Sequence, residues 1–132
     1  MRLSAALLLF AASLASLTPQ NAEATAVSLR RRGDGTYYDI EAGLTACGER
    51  HTNKQLYAAV ASSWFTKSNP NRDPICKKCA LVKGPKGQVK VRINDKCPEC
   101  SRDSIDLTPA AFDKIAKRKD GRVKITWSFT AC

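Results

Sequence analysis

Two aspartates stand where predicted strands end, and their carboxylates could act on a sugar. Residues 88–93 alternate apolar and polar side chains, which predicts a strand that leads to Asp95. Asp106 lies in a second short alternating run, residues 104–107, and Thr108 with Pro109 then has the pattern of a helix N-cap followed by a first-turn proline. Two carboxylates that flank a sugar are the minimal apparatus for glycosidic cleavage, provided that a raised pKa keeps one of them protonated.

Each carboxylate also has a structural interpretation. Asp95 follows an asparagine and precedes a loop, where aspartate often accepts backbone hydrogen bonds in an Asx-turn. Asp106 lies just before the predicted helix, and its charge would stabilise the helix N-terminus through the helix dipole. The residues alone leave both interpretations open.

The remaining residues supply the elements that must hold these aspartates in place. Six strands are predicted, at residues 36–40, 55–62, 80–83, 88–93, 104–107 and 122–129. The turn residues 84–87 join two of them into a hairpin, and helical signal is confined to residues 109–117 with a single turn at 63–65. Short strands with one helix indicate a mainly β domain, a compact barrel that closes its own edges.

The N-terminal segment predicts export. Arg2 is followed by the apolar run 5–12 and then by small residues, which is typical of a secretory signal peptide. Cleavage after Ala15 and after Ala24 both fit, so residues 1–24 are assigned to the signal peptide with its cleavage site open. The apolar run is well short of the ~20 residues that cross a bilayer, so no membrane span is expected.

A second processing signal, Leu-Arg-Arg-Arg, occupies residues 29–32. Residues 25–32 are therefore either a short propeptide, removed by a furin- or kexin-like protease, or a basic arm at the edge of a domain that spans 33–132. The whole chain of 132 residues has a net charge of +10, and the loss of four Lys/Arg and one Glu in residues 1–32 would leave +7. These charges are spread along the chain, which is most often explained by solvated faces, and attraction to an anionic wall or acidic polysaccharide is a secondary hypothesis. Nucleic acid is not expected for an exported protein.

Six cysteines allow two interpretations. Two Cys-x-x-Cys pairs fit the spacing of a zinc ribbon, but zinc would leave the first and last cysteines without a role. An oxidising compartment favours three disulfides, which use all six and stabilise a small exported domain. We therefore expect no metal and no cofactor, although the spacing cannot choose among the pairings. The cysteines are at positions 47, 76, 79, 97, 100 and 132.

Several short motifs, taken in order, resemble one family. They are GDGTYYD, GLTACGER, NPNRDPICKKCALV, VKVRINDKCPEC, SIDLTPAAFDKIA and GRVKITWSF. This series is similar to the double-psi β-barrel of secreted barwin, expansin and rare-lipoprotein-A-like proteins, and it covers residues 33–132. The resemblance implies a six-stranded barrel with crossed connections.

The same resemblance implies a binding groove. Asp106 matches the aspartate that the family holds before its helix, the candidate general acid in members with lytic transglycosylase activity. Asp95 matches a second carboxylate of the groove in some expansins. Thr36 and Tyr38, or its neighbour Tyr37, match the first-strand residues that line it.

The disulfide pairing is also implied by the resemblance. In expansins the cysteine of the Ala-Cys-Gly loop pairs with the first cysteine of the next Cys-x-x-Cys segment, and the second pairs with one after the last strand. Carried over, this gives Cys47–Cys76, Cys79–Cys132 and Cys97–Cys100. A redox role for the last pair is not expected, because no βαβ context surrounds it.

The chain departs from the family in two respects, and it offers no convincing triad. Ser104 and Ile105 stand where many plant expansins have His-Phe, and the sole histidine, His51, lies in a loop where a solvated side chain is expected. A Ser-His-Asp triad lacks any nucleophile-elbow context. No second domain with an aromatic platform is expected. Candidate sugar-binding aromatic residues are Trp64, Phe65, Trp127 and Phe129, but the alternation of Trp127 and Phe129 about Ser128 favours core packing, and Trp64 is expected to pack on the barrel as well.

Three functions follow from these observations. The first is a secreted, monomeric expansin- or loosenin-like protein that binds or loosens wall polysaccharide without hydrolysis. The second is a protein-binding role, as a secreted effector on a host protein or an inhibitor of papain-like cysteine proteases. The third is a lytic transglycosylase-like enzyme with Asp106 as its acid. The loop at residues 69–76 is the expected specificity element, but the sequence does not name the ligand.

Overall fold

A computed structural model describes residues 29–132, together with the isolated Ser13. The predicted signal peptide, apart from Ser13, and residues 25–28 lie outside the described residues. The strands are β1 (Arg31–Tyr37), β2 (Tyr57–Ala61), β3 (Cys79–Lys83), β4 (Gln88–Cys97), β5 (Ile105–Leu107) and β6 (Val123–Thr130), and the helix is α1 (Pro109–Ile115). Single 3-10 turns occur at Ile40–Ala42, Ser62–Trp64, Pro70–Arg72, Pro74–Lys77 and Arg118–Asp120.

The six strands form one closed barrel in the order β1-β5-β2-β4-β3-β6. Two pairs are parallel, β1 with β5 and β2 with β4, and the other four are antiparallel. Closure leaves no strand edge unpaired, which confirms the predicted barrel. The antiparallel pairing of β3 with β4 confirms the hairpin at residues 84–87.

The predicted first strand, residues 36–40, is wrong at both ends. β1 begins at Arg31, and Ile40 instead starts a 3-10 turn. The start of β1 shows no alternation of apolar and polar residues, because glycines occupy positions where a side chain has no room. A Cβ on Gly33 would lie 2.0 Å from the carbonyl oxygen of Asp103, and one on Gly35 would lie 2.8 Å from a methyl group of Ile125.

The barrel therefore includes residues that precede Gly33, the predicted start of the domain. Arg31 pairs with Trp127 and Arg32 pairs with Thr126, as part of the antiparallel ladder between β1 and β6. A cut after Arg32 would remove both of these pairs from the barrel.

The predicted strand at residues 88–93 is too short, since β4 continues to Cys97. Asn94 looked like the end of the strand, but its side chain is 0% exposed and forms hydrogen bonds inside the fold. It accepts from the hydroxyl of Thr45 at 2.7 Å and donates to the carboxylate of Glu49 at 2.9 Å. A buried amide with partners is compatible with a strand interior.

The helix begins at the predicted residue, but its first turn is anchored by a different hydrogen bond from the expected N-cap bond. Pro109 occupies the first turn and Thr108 the N-cap position, yet the Thr108 side chain makes no cap hydrogen bond. Its hydroxyl instead donates to the carbonyl oxygen of Gln55 at 2.5 Å, which ties the helix start to the segment just before β2. The helix ends at Ile115, short of the predicted residue 117. Phe112 and Ile115 are fully buried against the barrel core.

Three disulfides close the fold: Cys47–Cys76, Cys79–Cys132 and Cys97–Cys100. These are the pairings that the resemblance implies. All six sulfurs are engaged, so the zinc-ribbon interpretation does not hold for them. Within the described part of the chain, no helix is long and apolar enough to span a membrane.

Candidate functional site

The strand register brings the two aspartates into one row across the barrel. Thr36 of β1 pairs with Asp106 of β5, Asp106 pairs with Ala59 of β2, and Ala59 pairs with Asp95 of β4. Neighbouring strands are ~4.8 Å apart, so the backbones that carry the two carboxylates are about 10 Å apart. The small side chain of Ala59 lies between them.

Asp106 opens into a groove of about 350 Å³. The hydroxyl of Thr36 donates to its Oδ1 at 2.9 Å. Burial raises the pKa of Asp106, while the Thr36 hydrogen bond and the positive charge of Arg122 oppose that rise and the charges of Asp95 and Glu99 add to it. The net direction is upward, which is the environment that a general acid requires.

The carboxylate of Asp95 is occupied by hydrogen bonds within the fold. Its Oδ1 accepts the backbone N–H groups of Ala46 at 2.8 Å and Lys96 at 2.9 Å, and its Oδ2 accepts the hydroxyl of Tyr38 at 2.9 Å. Burial, followed by the negative charge and hydrogen bond of Asp95, raises the pKa of Tyr38, so the phenol stays protonated. This carboxylate joins the loop before β2 to the end of β4.

The groove divides the predicted site residues. Thr36 and Asp106 line the groove. Tyr37, which the sequence offered as the alternative to Tyr38, also lines it, whereas Tyr38 and Asp95 do not. The other walls of the groove come from distant segments without a shared motif, so no sequence pattern marks them as site residues. They are Asp34, Glu99, Ser101, Ser104, Arg122 and the Cys97–Cys100 disulfide.

His51 is packed, and the expectation of a solvated side chain is wrong. Its ring stacks on Tyr57 with centroids 3.7 Å apart, and its nitrogens contact the Glu49 carboxylate at 2.7 Å and the Gln55 side-chain oxygen at 3.2 Å. Ser104 bonds elsewhere, to the backbone N–H of Asp34 and to the hydroxyl of Ser101. These partners do not form a Ser-His-Asp triad.

The aromatic residues form a packed cluster, as their spacing predicts. Trp127 is 1% exposed, and Trp64 and Phe129 meet it edge to face. The guanidinium carbons of Arg102 and Arg31 lie 3.8 and 4.5 Å from the centroid of the Trp64 ring. The indole of Trp64 is thus engaged by cation–π contacts and is a poor platform for a sugar.

The loop at residues 69–76 is well anchored. Asp73 is 2% exposed and accepts three backbone N–H groups, from Thr66 at 2.6 Å, Lys67 at 2.7 Å and Ile75 at 3.1 Å. Burial alone would raise the pKa of Asp73, but the three backbone donors lower it below its usual value. Among residues 29–132 no group of three or more His, Cys, Asp or Glu side chains could hold a metal ion.

Comparison with known proteins identifies the family. A family model described as "Lytic transglycolase" matches residues 30–127, most of the described domain. The chain belongs to this double-psi β-barrel family. The resemblance in its motifs and the fold expected from it are both confirmed.

Individual members of the family differ in how much of the chain they match. The curated papain inhibitor of Streptomyces mobaraensis is 38% identical over 106 residues, which are 78% of this chain and 73% of that protein. A solved structure of a Streptomyces papain inhibitor has a TM-score of 0.73 and 38% identity, and the match covers 77% of this chain and 94% of that one.

Expansins match more distantly. Expansin-YoaJ of Bacillus subtilis is 48% identical over 46 residues, which are 35% of this chain and 20% of that protein. A Clavibacter michiganensis expansin variant in complex with cellohexaose has a TM-score of 0.67 at 23% identity, over 77% of this chain and 50% of that one. At that identity the likeness concerns the barrel fold.

Proposed function

We propose that this protein inhibits papain-like cysteine proteases through protein–protein contact. The observation that carries the proposal is the match to a papain inhibitor, at 38% identity over most of both chains. Expansin-like wall loosening, which the sequence alone placed first, becomes the second candidate. The Asp95 contacts also favour a binding role, because this carboxylate is occupied by backbone donors and Tyr38.

The loop at residues 41–48, the Leu44 loop, is the best candidate for the contact. Leu44 is 64% exposed at its tip, whereas most large apolar side chains of the described barrel are buried. Tight protein interfaces centre on a few anchor side chains, aromatic or aliphatic, that become desolvated in a pocket of the partner. An exposed leucine on a loop of fixed shape meets this requirement.

Both ends of the Leu44 loop are fixed. On one side, the Asn53 side chain accepts the backbone N–H of Ile40 at 3.0 Å and donates to Asp39 at 2.9 Å. On the other side, Thr45 bonds to Asn94 and the backbone N–H of Ala46 bonds to Asp95. A loop ordered before binding loses less conformational entropy in a complex.

The Leu44 loop is joined to the loop at residues 69–76. The Cys47–Cys76 disulfide links them covalently. Gly48 has φ +82°, a conformation that favours glycine, and a Cβ there would lie 2.8 Å from the side-chain oxygen of Asn71. The two loops therefore form one continuous surface that a protease could contact.

The test is inhibition of papain by residues 25–132, which lack the predicted signal peptide, and by their Leu44→Ala variant. We expect wild-type inhibition, and a rise in the inhibition constant of about 30-fold for Leu44→Ala, because loss of a central anchor costs about 2 kcal/mol. Leu56→Ala is the matched control, since Leu56 is also exposed but lies outside both loops. Absence of inhibition by the wild type would reject the function, and equal effects of the two variants would reject the loop.

The second candidate is polysaccharide binding in the Asp106 groove. It is favoured by the groove of about 350 Å³, the hydrogen bond from Thr36 and the raised pKa of Asp106. Release of fragments from peptidoglycan or chitin would extend this candidate to lytic transglycosylase-like cleavage with Asp106 as the acid. Binding without product release would support the loosening role.

Asp106→Asn separates groove function from stability. Since burial raises the pKa of Asp106, the folded state penalises its charged form at neutral pH, and the penalty vanishes below the unfolded aspartate pKa of about 3.9. We expect the variant to keep or raise the melting temperature at pH 7, with no gain near pH 3, while polysaccharide binding falls. A lower melting temperature with intact binding would instead support the helix-terminal role.

A further inference from the structure

A second groove runs over the outer surface of β1, β6 and β3. Its volume is about 540 Å³, larger than that of the Asp106 groove, and most of its exposed lining is apolar. Thr126 of β6 is at its centre, paired with Arg32 on one side and Lys83 on the other. Two strand spacings of ~4.8 Å separate the backbones of these two cations by about 10 Å.

The groove continues along the strands. A smaller adjoining cleft shares Lys83 and Thr126 and adds Arg30, Leu81 and Ser128. From Lys124 to Ser128 the path along β6 is about 13 Å at ~3.3 Å per residue, which is room for a short oligosaccharide. We call the two together the basic groove.

Three of the four cations that line the basic groove have no acidic partner within residues 29–132. Arg30, Arg32 and Lys83 take part in none of the ion pairs found within residues 29–132. Lys124, in contrast, contacts Asp34 at 2.8 Å. Hydrogen bonds from Lys124 and Arg122 lower the pKa of Asp34, so that carboxylate is already neutralised.

A surface of this composition selects for its ligand in two ways. Unpaired cations attract a negatively charged polymer. The exposed carbon atoms of the lining can pack against the carbon-bound hydrogens of sugar rings. Inorganic anions would use only the first feature, and neutral glucans only the second.

We propose that the basic groove binds an acidic polysaccharide, with Arg30, Arg32 and Lys83 contacting its carboxylates. This site is separate from both Asp106 and the Leu44 loop, which supply none of its lining residues. It would hold the protein on an anionic wall whichever of the two candidate functions it performs there. Arg30 and Arg32 also belong to the tribasic segment, so a cut after Arg32 would remove one wall of the groove.

Polygalacturonate is the probe, with uncharged dextran as the control polymer. We expect the wild type to bind polygalacturonate at low ionic strength and to release it as the salt concentration approaches 1 M, where the screening length is ~3 Å. No binding to dextran is expected. Arg32→Gln/Lys83→Gln should weaken binding about 10-fold, the scale of two exposed charge contacts. Isothermal titration or affinity electrophoresis measures the change.

A matched double variant distinguishes the groove from general charge attraction. Lys54→Gln/Lys119→Gln removes the same charge from exposed side chains outside the groove, and it should change affinity less than 2-fold. Equal weakening by both double variants would overturn the proposal, as would unchanged affinity in the groove variant or no binding by the wild type. Lys83→Glu is a second test at an exposed position and should weaken binding at least as much as the double glutamine variant. Papain inhibition should be unaffected, so failure here is separable from failure of the proposed function.

Discussion

Replacing both Cys79 and Cys132 with serine is expected to lower the free energy of unfolding by about 4 kcal/mol. The two residues are 53 positions apart in sequence, and their disulfide ties the start of β3 to the end of the chain. Without the bond, the unfolded chain gains the entropy of a long open loop. A small domain has only about 5–15 kcal/mol of stability, so the loss is a large part of the total.

The same change on the short disulfide is the control. Cys97 and Cys100 are only 3 positions apart, so the chain-entropy estimate for the double serine variant is about 2 kcal/mol. Denaturant unfolding of both variants measures the difference, and the Cys79/Cys132 variant should melt roughly 20 °C below the wild type. Equal losses in the two variants would show that loop length does not set the contribution of these bonds.

Asp73→Ala is expected to cost about 3 kcal/mol of stability. The Asp73 carboxylate satisfies three backbone N–H groups at 2 % exposure, and alanine would leave them without an acceptor. Hydrogen exchange should accelerate at Thr66 and Lys67, while the amides of β4 keep their relative protection. Because this loop joins the Leu44 loop through Cys47–Cys76, papain inhibition should weaken at temperatures where the variant remains folded.

The pH dependence of Asp73→Ala checks the electrostatic part of this prediction. The pKa of Asp73 is lowered in the folded protein, so its contribution is fully present above the unfolded aspartate value of about 3.9. It is lost as the pH falls through the lower folded value. The stability difference between wild type and variant should be constant from pH 5 to 7 and should shrink below about pH 4. A difference independent of pH down to pH 2 would mean that packing, rather than the charge, accounts for the loss.

The two candidate functions make different demands on the same barrel. Inhibition needs a rigid exposed surface, and Asp95 contributes to it by holding the Leu44 loop at the backbone N–H of Ala46. Polysaccharide binding needs an open groove, and Asp106 contributes there. Asp95→Asn should therefore affect the first function and Asp106→Asn the second, which allows each to be tested in the presence of the other.

Local patterns in the sequence determined several elements correctly. The alternation at residues 88–93 marks β4, Pro109 marks the start of α1, and the glycine-proline turn at 84–87 marks the hairpin. These signals are short in range, because side-chain period, proline geometry and turn chemistry act over a few residues. The order of several motifs also indicated the family, and the match over residues 30–127 confirms it.

Only the tertiary structure decided which distant residues meet. The row from Thr36 through Asp106 and Ala59 to Asp95 depends on two parallel pairings and one antiparallel pairing between strands far apart in the chain, and neither strand of such a pair names its partner in its own sequence. The start of β1 was hidden for a related reason, since its inward positions are glycines fixed by contacts with Asp103 and Ile125. The basic groove likewise exists because closure of the barrel sets β6 between β1 and β3, which places Arg32 and Lys83 on either side of Thr126.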